Sequence, residues 1–463
     1  MVVDLDLCYA TVDQLSALLR SRSISAIEIV RNALKRIEET NGLLNALTFV
    51  DADAAIAAAH DCDARIARGG DIPPLCGIPI SVKELIEVRG MPCRYGSRTM
   101  ADHIPTEDAP SVDRLRAAGA IIVGMTNTSE FGYRGYTDNL LNGVTRNPWD
   151  TRLTTGGSSG GAVSSVSAGM TPIALGSDGG GSIRNPASFT GLVGIKAQFG
   201  RVPIYPQSAT PTLAHVGPLA RSVDDAIRLL RVISGPDLKD WTSLQPAIDE
   251  APGLAELRPL RIAYSPTLGY GRIDTDVRER IDSALLTLDG VVGSIEHVED
   301  ICEDESELLL AEFIGGCSAR LGAEVTNRPE DIDPPLLQQI LQFRARSADN
   351  YSALLRRRNQ FRDRMRLFFE RYDLLLTPMT PCTAWPIGQR APDDYQSFRL
   401  WTFFGFPFNL TGQPAASLPC GLTKSSLPIG LQLVVRSQCE QLLFDLLIEF
   451  DRVLGCTGKR PPI

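Results

Sequence analysis

The chain has 463 residues with 46 Lys/Arg against 55 Asp/Glu, a formal net charge of −9, and 43% hydrophobic residues. That balance, with no tract of five Lys/Arg and no apolar run approaching the ~20 residues of a membrane span, argues against a nucleic-acid binder and a transmembrane protein. It fits a globular protein with a large buried core.

In chain order, the first hundred residues read as helical. Thr11 with Gln14 and Ser25 with Glu28 are capping-box pairs, and Ile29, Val30, Ala33, Leu34 and Ile37 follow the second at helical spacing. GIPISVKELI (77–86) alternates Ile78, Ile80 and Val82 and predicts a short strand ending near Lys83. Residues 110–118 predict a helix leading through Gly119 into a buried strand at 120–125. Further helices are expected at 222–233, 275–289, 305–322 and 349–371, and strands at 260–265, 373–378, 415–420 and 429–435. Helices alternating with continuous apolar strands predict an α/β fold with a largely covered sheet, and no linker is long enough to split 1–463 into independent domains. Within it, residues 1–70 form an N-terminal helical region, 71–235 the core, 236–371 a variable region and 372–463 the strands and helix that complete the sheet. Residues 236–258 read as a connection between two lobes and 380–398 as a surface excursion. Arg356, Arg357, Arg358, Arg362, Arg364 and Arg366 read as a solvated helix face.

Ten cysteines stand singly, none in C-x-x-C, which predicts reduced thiols and a cytoplasmic protein. MVVDLDLCYA does not read as a secretory signal. The four histidines, His60, His103, His215 and His297, show no metal-ligand spacing, so no metal site is expected.

Residues 156–186, GGSSGGAVSSVSAGMTPIALGSDGGGSIRNP, hold nine glycines and seven serines. A flexible linker would not carry the helix-then-strand apolar pattern of Ala162, Val163, Val166, Ala168, Met170, Ile173, Ala174 and Leu175. A phosphate loop would need a lysine after Gly160-Gly161, and none follows. Gly156 to Gly160 match G-x-S-x-G, but the polar NPWDTRLTT before them is not the strand of a nucleophile elbow. A serine nucleophile needs a base, and with histidine scarce a buried lysine, its pKa lowered by desolvation, can serve. Lys83, at the end of its apolar strand, is the candidate, and the N–H groups around Gly179, Gly180 and Gly181 can hold an oxyanion.

With these residues in view, the chain resembles the amidase signature family of Ser–Ser–Lys amidohydrolases. The resemblance rests on GIPISVKELI, GGSSGG and SDGGGSIRNP in order, with Ser158 and Ser182 separated by 24 positions. AGAIIVGMTNTSEFGY, GPLARSVDDA, YDLLLTPMTP, FNLTGQPAASLPCG and LPIGLQLVV extend it. It implies one large α/β domain with a mixed multi-stranded sheet covered on both sides by helices, and it implies Ser182 as nucleophile, Ser158 as proton relay beside an unusual cis peptide, and Lys83 as base. Gly179, Gly180, Gly181 and the Ser182 amide form the oxyanion hole, and Asp178 pairs with Arg184 to shape the loop. Ser159 is either a loop support or a direct participant.

The family often carries a side chain where this chain has Gly179, which predicts a more flexible loop or a more open pocket wall. His215 is expected to be structural. The implied reaction is hydrolysis of a linear carboxamide through an acyl-enzyme, without cofactor, on a small-molecule amide, with a homodimer as an option. Two alternatives stand beside it. One is the A subunit of a tRNA-dependent amidotransferase, whose expected arginine-pair, glycine-threonine segment LLRRRNQFRDRMRLFFERYD does not resemble. The other is a non-catalytic binding protein on the same fold. Trp401, Phe403, Phe404, Phe406 and Phe408 are read as core, with an apolar acyl pocket as the sharper option.

Overall fold

The computed structural model describes residues 3–69, 72–243, 259–392, 395 and 402–463. Eleven strands form one mixed sheet. In chain order its members are β1 (Leu47–Val50), β2 (Pro79–Lys83), β3 (Ile121–Thr126), β6 (Ile173–Asp178), β7 (Val193–Lys196), β8 (His215–Ala220), β9 (Ile262–Tyr264), β10 (Ile295–His297), β11 (Leu374–Pro378), β12 (Ala415–Leu422) and β13 (Pro428–Val435). A separate ribbon pairs β4 (Arg146–Asn147) with β5 (Asp150–Thr154). Across the sheet the order is β1-β3-β2-β6-β8-β7-β12-β13-β11-β9-β10. β2 runs parallel to both β3 and β6, whereas β6 meets β8 antiparallel.

Strand periodicity shows why the strands read as unbroken apolar runs. Side chains alternate between faces, and here both faces are covered. Leu374 and Leu376 of β11 join one hydrophobic cluster and Leu375 the other; Leu433 and Val435 of β13 are divided from Val434 in the same way. The helices Ala26–Leu44, Val223–Ile233 and Glu440–Leu454 pack into the first cluster, and Ser306–Leu321 and Ala348–Arg371 into the second. Both expected capping boxes form, at Thr11 and Ser25.

Two expectations need correction. Arg358 does not lie on a solvated face: its side chain is 13% exposed and donates to Glu312 at 2.6 and 2.8 Å and to the Leu410 carbonyl at 2.9 Å. Arg357, at 38% exposure, stays at the edge of the solvated face and pairs with Glu305 at 2.7 Å. The stretch expected as a surface excursion buries Cys382, Ala384, Trp385 and Tyr395, with Trp385 set edge-on to Phe189 at 5.7 Å. The remainder of that stretch, Trp401, and 244–258 of the expected connection fall outside the described residues.

Candidate active site

β2 and β6 are parallel neighbours, so their carboxyl ends share one rim of the sheet, the place where open α/β sheets put their ligands. Lys83 is the last residue of β2 and Asp178 the last of β6. On β2, Ser81 and Lys83 face the same side. Ser81 Oγ lies 2.9 Å from Ser165 Oγ in the helix Gly160–Ser167, and Lys83 reaches the residues just before that helix. Its Nζ donates to Ser158 Oγ at 2.7 Å, to Ser159 Oγ at 2.9 Å and to the Ser177 carbonyl at 3.3 Å. The Gly157–Ser158 peptide is cis.

The glycines of this stretch are needed for close approach. A Cβ on Gly160 would stand 2.2 Å from Thr137 Oγ1, and one on Gly161 2.3 Å from the Asn127 nitrogen and 2.4 Å from the Ala46 carbonyl oxygen. The helix that carries the serines can therefore seat against the neighbouring backbone only without side chains there.

Ser182 follows β6 across the Gly179–Gly181 turn. It is 8% exposed and lines a cavity of about 800 Å³, counting its open mouth. Its carbonyl accepts the Ser159 amide at 3.3 Å, which ties the two serine segments together. Among the described residues its hydroxyl has no hydrogen-bond partner.

Asp178 and Arg184 are both fully buried and form a two-point ion pair at 3.0 and 3.1 Å. Asp178 also accepts the Gly181 amide at 2.6 Å and the Ile183 amide at 3.2 Å. Burial opposes its charge, but Arg184 outweighs that and holds the carboxyl below the usual range. The Gly181 N–H is thus committed to Asp178, which leaves those of Gly179, Gly180 and Ser182 around the turn.

Burial pushes the Lys83 amine well below the ordinary lysine value, against a smaller opposing pull from Asp178. His215 is buried as well. Its Nδ1 lies 2.8 Å from the Leu213 carbonyl, and burial, followed by Lys196, pushes its pKa well below the ordinary value. That is a structural environment.

Gly179 does not open the pocket wall. A Cβ there would lie 3.0 Å from Phe313 Cε2, so Phe313, from the helix Ser306–Leu321, occupies the space. The aromatics Phe403, Phe404, Phe406 and Phe408 are core and do not line the cavity, whose apolar wall comes from Leu85, Tyr95, Phe131 and Phe313.

Two supporting residues were not foreseen. Asn409 Oδ1 and Gln432 Oε1 each accept from Arg184 at 2.7 Å. A lone glutamine inside the apolar strand IGLQLVV is a signal that a buried polar partner is waiting. Among the described residues, no group of three or more His, Cys, Asp or Glu side chains could hold a metal ion.

This arrangement, an α/β sheet with a buried lysine and two serines at its parallel rim, is that of a hydrolase. A family model described as Amidase matches residues 28–444. The chain belongs to this family, the amidase signature enzymes. It is 36% identical over 479 residues to the A subunit of glutamyl-tRNA(Gln) amidotransferase from Symbiobacterium thermophilum, covering 97% of this chain and 98% of that one. It is 30% identical over 472 residues to an acylamidase of Rhodococcus erythropolis, covering 98% of each. The structure of a bacterial aryl acylamidase of the family superposes with a TM-score of 0.90 at 27% identity, covering 98% of this chain and 99% of that one. No helix among the described residues is long and apolar enough to cross a membrane.

Proposed function

We propose that the chain cleaves a carboxamide through an acyl-enzyme, with Ser182 as nucleophile, Ser158 as proton relay and Lys83 as base. The observation that carries this is the fully buried Lys83 amine 2.7 Å from Ser158 Oγ, beside a Ser182 that faces the cavity. A lysine held neutral by burial has a lone pair to accept the proton that Ser182 loses on attack. The N–H groups of Gly179, Gly180 and Ser182 are the oxyanion donors; Gly181 contributes by holding the turn through Asp178. Ser159, which accepts from Lys83 and donates to the Ser177 carbonyl at 3.1 Å, positions the amine. Water then releases the acid. A fluorophosphonate should label wild-type protein at Ser182, and Ser182→Ala should abolish both labelling and amide cleavage while remaining folded. Labelling at Ser158 instead would reassign the nucleophile.

Two versions of this chemistry differ in the fate of the nitrogen. Sequence identity favours an amidotransferase A subunit, which takes ammonia from glutamine for partner subunits: the Symbiobacterium relative is 36% identical, against 30% for the Rhodococcus acylamidase. The TM-score of 0.90 to the aryl acylamidase, and the segment before β11, support a chain that hydrolyses amides alone. Assaying the purified chain on glutamine and on simple carboxamides, with and without amidotransferase partner subunits, separates them. Turnover of simple amides without partners supports the second version, and glutaminase activity that appears only with partners supports the first.

A further inference from the structure

We infer that Arg320 is a specificity residue that binds a carboxylate carried by the amide substrate, away from the scissile carbonyl. This rests on the amide-cleaving reading and narrows its substrate class. Arg320 lines the same cavity as Ser182. It lies on the helix Ser306–Leu321, seven positions after Phe313, so both project from one side of that helix. Phe313 abuts the oxyanion turn, being 3.0 Å from where a Gly179 Cβ would begin. Between them, Gly316 lets the helix press onto the loop that carries the cis Tyr205–Pro206 bond: a Cβ there would fall 1.7 Å from the Ala209 carbonyl oxygen. The helix is therefore fixed against the cavity wall, and Arg320 sits ~10 Å further along it than Phe313.

The charges around the cavity single out this residue. Asp178 is spent on Arg184, and His215 is kept neutral by burial. Glu87 also faces the cavity; its Oε1 is turned to the Tyr95 hydroxyl at 2.7 Å and to His103 Nε2 at 3.0 Å, contacts that orient the carboxylate without removing its charge. Among the described lining residues, Arg320 alone carries a permanent positive charge. Among the described residues it has no ion-pair or hydrogen-bond partner; its guanidinium lies over the Tyr95 ring, 4.9 Å from the centroid. That ring is fixed by Glu87 and by stacking on Phe131 at 6.0 Å. An aromatic platform orients the planar guanidinium while leaving its N–H fork unspent, and that fork matches a carboxylate. Arg320 is exposed, and the contact with Tyr95 holds it at the mouth of the cavity rather than letting it extend freely into water.

The test uses the full chain as Ser182→Ala, so that binding is read without turnover. Monoamides of the four-, six- and eight-carbon dicarboxylic acids are titrated against neutral primary amides of equal length. A series of N-acyl ω-amino acids places the carboxylate on the amine side of the bond instead. The expected result is at least about tenfold tighter binding of the carboxylate member at one or more chain lengths, as charge-assisted bidentate contacts give. Added Arg320→Gln should bring that ratio close to one, and Arg320→Lys should restore part of it. Parity at every length, or a preference that survives Arg320→Gln, overturns the assignment. The amide-cleaving reading is scored separately, by wild-type turnover of the same compounds. Preference without turnover would sink that reading and leave Arg320 in place, whereas turnover without preference does the reverse.

Discussion

Lys83 Nζ sits 2.7 Å from Ser158 Oγ, and Lys83 is 0% exposed. An ammonium in that position would have lost its hydration, with Asp178, already paired to Arg184, as the only carboxylate that favours it. Desolvation therefore favours the amine. On the proposed mechanism, the same burial that would be costly for a structural lysine supplies a base at the end of a hydroxyl relay.

The Asp178–Arg184 pair should be the main support of the nucleophile turn. Arg184→Met leaves a buried carboxylate facing two amides, and removing one partner of a buried pair costs about 3–5 kcal/mol. Asp178→Asn strands the guanidinium, although Asn409 and Gln432 still accept from it. Urea unfolding of both single variants and of the double should show strong destabilisation, with the double costing less than the sum. Simple additivity would mean that the pair is not the unit holding the turn.

Glycines in this chain divide by what surrounds them. Gly161→Ala would put a Cβ 2.3 Å from the Asn127 nitrogen, where only backbone movement could relieve it, and a loss of about 1–3 kcal/mol or more is expected. Gly42, on the exposed side of the helix Ala26–Leu44, has nothing within 4 Å of the corresponding point. Gly42→Ala should stabilise by about 0.5–1 kcal/mol through lower backbone entropy in the unfolded chain. Thermal melts of the two variants check the opposite signs.

Much of the architecture is legible because both faces of the sheet are covered, which turns strands such as Leu374–Pro378 and Pro428–Val435 into continuous apolar runs with near-exact boundaries. β8 was not legible. Its sequence, HVGPLA, carries Gly217 and Pro218, which break a strand pattern, yet a Gly217 Cβ would lie 2.3 Å from the Ile195 carbonyl oxygen, so the pairing with β7 demands the glycine. Lys83, Ser158 and Ser182 stand out because their residue types make sense only as chemistry. What Phe313 and Arg320 touch depends on where a distant helix docks. Gly316 decides that by a contact across more than a hundred residues of sequence, and local pattern carries no trace of it. The spending of the Gly181 amide on Asp178 is hidden for the same reason, since it depends on the turn's geometry.

The pH dependence follows from the sign of the Lys83 shift. A protonated lysine cannot accept the Ser182 proton, so kcat/KM should be low in acid and rise as pH passes upward through the lysine's folded value. That value is lowered by burial, so the rise should be complete below the ~10.4 of a free lysine. His215 is pushed well below its ordinary value by burial and should add no inflection near ~6.5. A profile on a neutral amide from about pH 5 to about pH 10 reads the limb directly. An inflection at ~6.5 would instead place a histidine in the reaction.

The last expectation separates two jobs assigned to Lys83. When the tetrahedral intermediate of an amide collapses, nitrogen must leave protonated, because an amide anion is too basic to depart. An activated ester of the same acyl group expels a phenolate that needs no proton. On the proposed mechanism the Lys83 amine, 2.7 Å from Ser158 Oγ, takes the proton from Ser182 and then holds the one the leaving nitrogen requires. Lys83→Ala therefore removes two proton transfers from amide cleavage and one from ester cleavage, each typically worth about 10²–10⁴-fold. The variant should lose far more rate on the amide than on the matched p-nitrophenyl ester. Ser158→Ala should show the same bias more weakly, since a water in the vacated space can carry the proton. Single-turnover acylation rates for the two substrates give the comparison without interference from deacylation. Equal losses would show that Lys83 activates Ser182 but does not protonate the leaving group.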